Sequence, residues 1–67
     1  MIWINIKYKD GTGAITQCDA PNAGFALELM RTFFADHSDM AHHDGAPVSR
    51  MTAIDPSNPT DYAEARF

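Results

Sequence analysis

Ile2, Ile4, Ile6 and Tyr8 alternate with Trp3, Asn5, Lys7 and Lys9. A period of two built from β-branched and aromatic residues predicts a half-buried strand with its isoleucines inward. Asp10-Gly11-Thr12-Gly13 then marks a turn, because glycine enters positive φ without steric cost. Ala14 to Cys18 returns as a second strand in one of two registers. A two-residue Asp-Gly turn places Ile15 and Gln17 on the isoleucine face. A three-residue turn with a glycine bulge places Ala14, Thr16 and Cys18 there instead. One residue of slip exchanges the faces. A buried cysteine is easier than a buried glutamine, which favours the second register.

The period changes after Cys18. Asp19-Ala20-Pro21-Asn22 reads as a helix entry, with Asp19 or Asn22 able to cap the first amides. From Asn22 to about Asp36, Ala26, Leu29, Met30, Phe33 and His37 recur at helical spacing, and Phe25, Leu27 and Phe34 widen the stripe. Glu28, Arg31, Thr32 and Asp36 form the polar side. So broad an apolar face must lie on a sheet, and burying Leu29, Met30 and Phe33 would contribute about 1.5–3 kcal/mol each. Asp39 to Pro47 reads as a loop and Val48 to Asp55 as a third strand. Its inward set is either Val48, Arg50, Thr52 and Ile54, or Ser49, Met51 and Ala53. Pro56 to Asp61, with two prolines and an Asn-Pro pair, reads as a turn. Tyr62 to Phe67 alternates, so Ala63, Ala65 and Phe67 would face the core as a last strand. The competing reading is a helical turn capped by Thr60. The expected fold is α+β, β-β-α-β(-β): an antiparallel sheet with one amphipathic helix packed on one face.

The chain has 67 residues, enough for a single domain over 1–67. At this size a core is small, and dimerisation is one route to stability. With five Lys+Arg against nine Asp+Glu the net charge is −4, which argues against a protein that tracks phosphates, so no direct nucleic-acid binding is expected. One cysteine, Cys18, cannot form an internal disulfide, and a cytoplasmic, reducing compartment is expected. Met1 to Lys7 lacks the pattern of a signal peptide, and no apolar run approaches the roughly 18 residues of a membrane helix.

The densest polar constellation, Asp36-His37-Ser38-Asp39 followed by His42-His43-Asp44, holds three histidines and three aspartates in nine residues. Imidazole and carboxylate are ligands for divalent metals, and His37 with His42 or His43 and one aspartate is the candidate set. The spacing matches no metal motif, and a polar loop beyond a helix is the simpler reading. No cofactor is expected. The Gly-x-Gly of Gly11 to Gly13 leads into a strand, so it lacks the helix N-terminus of a phosphate cradle. Cys18 has no evident activating neighbour, and Ser38, Ser49 and Ser57 lack a nucleophile-elbow context. No enzymatic activity is expected.

Trp3, opposite the isoleucines, falls on the face a single helix leaves uncovered, where a tryptophan is an interface anchor unless the final residues or a dimer partner cover it. Asp36, Asp39, Asp44, Asp55, Asp61 and Glu64 concentrate acidity in the second half, a pattern suited to a basic partner surface. With Trp3 and Tyr62 they form the candidate partner-binding set.

The N-terminal hairpin, the Cys18-Asp19-Ala20-Pro21-Asn22-Ala23 strand-to-helix step, the alanine-containing helix and the closing hairpin resemble the small anti-CRISPR proteins of phages and mobile elements that inhibit type I CRISPR–Cas complexes. The resemblance covers the whole chain in size and element order. It implies a non-catalytic inhibitor in a bacterial host cell that binds a Cas protein or the surveillance complex and blocks DNA binding or nuclease recruitment.

Overall fold

The computed structural model describes residues 1–37 and 42–67. Among these the chain forms β1 (Ile2–Tyr8), β2 (Gly13–Cys18), α1 (Ala23–Asp36), β3 (His42–His43), β4 (Ala46–Asp55) and β5 (Asn58–Arg66). All pairings are antiparallel. The sheet runs β2-β1-β4, and β5 and the short β3 both pair β4 on the side away from β1. The α+β class and the order β-β-α-β-β follow the sequence pattern, with β3 added. No helix among the described residues is long and apolar enough to cross a membrane.

Strand β1 is the backbone of the core. Ile2, Ile4, Ile6 and Tyr8 are buried while Trp3, Asn5 and Lys7 are exposed. Its turn into β2 closes with the Tyr8 amide donating to the Thr12 carbonyl, and Gly11 takes φ 91°. This is the three-residue turn, and its consequence is the register Ile2↔Cys18, Ile4↔Thr16, Ile6↔Ala14. Cys18 thus shares the isoleucine face and packs against the core.

Helix α1 starts where expected: the Asn22 side chain accepts the Phe25 amide at 2.8 Å. Its buried residues, however, are Ala23, Ala26, Leu27 and Phe34. Leu29 and Phe33, expected to lead the burial, are 43% and 37% exposed, and Phe25 is 51% exposed. The reason is placement. The helix rests mainly over β4 and β5 and reaches β1 only in part. Between helix and sheet on that side lies a groove lined by Ile6, Tyr8, Thr16, Met30, Phe33 and Phe34. The stripe is present, but the helix lies off-centre and one flank of it stands over that groove.

Strand β4 starts two residues earlier than its apolar pattern suggests. Asp44 at φ 51° and Gly45 at φ 82° form a tight turn that folds His42–His43 back on Ala46–Pro47. The expected loop from Asp39 to Pro47 is therefore a hairpin over its described part. Neither inward set of β4 holds throughout. Lys7 pairs with Arg50 but Tyr8 with Val48, so Ser49 is an extra residue. Val48 is inward before this bulge, and Met51 and Ala53 after it.

The last hairpin also departs from expectation. Only Pro56–Ser57 separates β4 from β5, and β5 continues through Pro59, Thr60 and Asp61 instead of starting at Tyr62. Proline is tolerated there because β5 pairs on one side only among the described residues. The register jumps from Ile54↔Tyr62 to Asp55↔Asn58, leaving residues 59–61 bulged. Ala63 and Ala65 pack on the core as expected, whereas Phe67 is 52% exposed.

Candidate functional site

The helix covers one face of the sheet. No element among the described residues covers the other, and the strand registers order its side chains into rows. Trp3 pairs with Gln17 and Ile54, and Ile54 pairs with Tyr62. Trp3 and Tyr62 are 41% and 54% exposed, with the half-buried Ile54 between them. Pro56 and Pro59 border the same shallow depression as Trp3, Ile15 and Ile54. This joins two of the sequence-derived residues, Trp3 and Tyr62, in one apolar row across three strands.

The next row of that face is Ile15, Asn5, Thr52 and Glu64. The row after it carries Lys7, Arg50 and Arg66, each opposite the next. Three of the five basic residues of an acidic chain thus form one cross-strand line. Glu64 offsets part of that charge, its carboxylate lying 3.4 Å from the Arg66 guanidinium. The strand rise separates the cationic row from the aromatic row by about 13 Å. Sequence reasoning missed the cationic row. Lys7 was assignable to the Trp3 face by parity, but Arg50 and Arg66 join it only through the registers of β4 with β1 and β5.

The acidic candidates do not gather in one place. Asp36 ends α1, Asp44 lies in the β3–β4 turn and Asp55 ends β4. Asp44 and Asp55 flank opposite ends of a ten-residue strand, about 30 Å apart at the usual rise. Asp39 lies outside the described residues. Asp55 turns inward on its own hairpin, accepting from the Ser57 amide at 3.0 Å and the Ser57 hydroxyl at 2.7 Å. These bonds hold its carboxyl below the ordinary aspartate range, the hydroxyl contributing most. Asp61 has a structural partner. Both its oxygens accept the Ala23 amide, at 3.1 and 3.2 Å, so the β5 bulge places a carboxylate at the start of α1.

The histidines are held by different neighbours. His37 caps α1, its amide donating to the Phe33 carbonyl, and its ring stacks on Phe33 at 4.5 Å. His43 belongs to the β3–β4 hairpin. Its Nδ1 lies 3.8 Å from Asp10 and 3.3 Å from the Thr12 hydroxyl, and its ring lies 5.5 Å from Tyr8. His42 lines a separate groove with Lys9, Arg31 and Phe67. Asp10 is itself fixed by Thr12, whose hydroxyl and amide donate to it at 2.6 and 2.9 Å. Those bonds, the hydroxyl first, hold the Asp10 carboxyl below its usual range. Among the described residues no group of three or more His, Cys, Asp or Glu could hold a metal ion.

No family model matches this chain, and no match to it is found among curated proteins or solved structures.

Proposed function

We propose that this protein is a non-catalytic binding protein that engages a macromolecular partner through the open face of its sheet. The observation that carries the reading is the row Trp3–Ile54–Tyr62, two half-exposed aromatics flanking an aliphatic residue on the face that the helix leaves bare. Aromatic side chains offer large contact area at low entropic cost and dominate binding energy where they are central. The cationic row beside it favours a partner with acidic groups at that end. Asp36, Asp44 and Asp55 stand at the margins of the molecule and suit basic groups on a partner large enough to reach past the sheet.

The particular form we propose follows from size, element order and small core: an inhibitor of a type I CRISPR–Cas surveillance complex, acting by occupation of a surface. The test is capture of that complex from bacterial lysate on the immobilised chain. Wild type is expected to retain Cas subunits stoichiometrically. Trp3→Ala and Tyr62→Ala, both at exposed positions, are expected to weaken retention at least tenfold while the fold persists. Absence of any Cas subunit removes the inhibitor reading. Retention indifferent to both aromatic substitutions removes the sheet-face reading.

A further inference from the structure

We propose that β2 pairs antiparallel with β2 of a second copy of this chain, centred on Ile15, to form a symmetric dimer. The two long outer strands of the sheet are built differently. Strand β5 carries Pro59, Asp61, Glu64 and Arg66 together with a bulge, the devices that keep a sheet edge from pairing further. Strand β2 is Gly-Ala-Ile-Thr-Gln-Cys, with no charge and no proline, and its ladder with β1 runs without a register shift. In a chain of net charge −4 it is a neutral stretch on the rim of the sheet.

The backbone of β2 is set for such pairing. The Tyr8 amide bonds to the Thr12 carbonyl. Hydrogen-bonded pairs alternate along an antiparallel ladder, so Ala14, Thr16 and Cys18 direct their amides and carbonyls at β1. Gly13, Ile15 and Gln17 direct theirs outward, where no strand among the described residues meets them. Two such edges fit each other when Ile15 faces the partner's Ile15. Gly13 then faces the partner's Gln17, and Ala14 faces the partner's Thr16. Every outward group finds a complement, and no charged pair is brought opposite.

The side chains agree with that register. Ile15 is 65% exposed, more than any other large hydrophobic residue among the described ones. At the dyad it would cover its counterpart on the open face. On the other face, Ala14 and Thr16 are small, and α1 packs mainly on β4 and β5, with an open groove between its Met30–Phe33 side and Thr16. The charged β5 edges remain outermost, which closes the assembly at two copies.

The proposal is independent of the partner reading, since it is read on the purified chain alone. Light scattering across concentration is expected to show the mass rising from 7.4 kDa to twice that value. Ile15→Lys is expected to weaken dimerisation at least tenfold. Ile15→Pro removes only an outward amide, a change an edge strand tolerates, and is expected to do the same with the fold intact. Amide exchange at Gly13, Ile15 and Gln17 should slow with concentration in the wild type and not in the variants. A wild-type chain that stays at 7.4 kDa up to millimolar concentration overturns the proposal. So does a dimer that survives both substitutions, one protected at other amides, or growth beyond two copies.

Discussion

At Asp61 one carboxylate ties the last strand to the only described helix. The helix N-terminus presents free amides and a positive dipole end, and Asp61 answers both through the Ala23 amide. Asp61→Ala is expected to lower unfolding free energy in urea by about 0.5–2 kcal/mol, the usual range for a lost N-terminal acceptor. Asp61→Asn should lose less, because an acceptor oxygen remains. Asp10 and Asp55 repeat one device, each accepting an amide and a hydroxyl from the residue two positions on. Their carboxyls are depressed in the fold, so their stabilisation is present above the unfolded value of about 3.9 and is lost as pH falls through the folded value. Stability is therefore expected to be insensitive to these two groups near neutrality and to decline below about pH 4. Carboxyl titration by NMR should find Asp10 moved back toward the ordinary range in Thr12→Val, with less of that acid-side loss. The same short polar residues looked from sequence like surface charge. Thr12 and Ser57 lie two positions from Asp10 and Asp55, whereas Ala23, the partner of Asp61, is far away along the chain and was not legible there.

At the level of elements, local signals were readable and relative placement was not. The alternation of β1 declared itself and the cap was narrowed to Asp19 or Asn22, because both depend on near neighbours in the chain; the structure selects Asn22. The Asp44-Gly45 hairpin was also present as a dipeptide signal, and it was obscured by the histidines and aspartates around it. The helix stripe was legible as a stripe. Which part of it would be buried depended on where α1 sits across the sheet, and no periodicity encodes that. The difference has a measurable consequence. Met51 is fully buried and Met51→Ala is expected to cost about 2–5 kcal/mol of stability. Leu29→Ala, on the overhanging flank, should cost about 1 kcal/mol or less in the same urea titration. Equal losses at the two positions would mean that the helix lies centrally over the sheet.

Taken as a whole molecule, the chain gathers most of its basic residues and disperses its acids. Among the described residues Asp10, Asp44, Asp36 and Asp55 stand in turns and at element ends and Glu64 on the open face, while Lys7, Arg50 and Arg66 share one line there. A net charge of −4 therefore describes no single surface, and the inference from net charge to a basic partner was weaker than the sequence made it look. The open aromatic row was half legible, through Trp3 and Tyr62, and Ile54 joined them only by pairing. One architectural fact bears on how the molecule comes into being. Strand β4 is central in space yet late in sequence, and its ladder joins Trp3 to Ile54. The first 37 residues hold a hairpin and a helix, but the strands that carry most of the helix's weight lie after residue 45. A long stretch of chain must close before the rewarding contacts form, which slows folding relative to a protein built of local contacts. The arrival of β4 is what completes the core, because it joins β1 to β5 and underlies the helix.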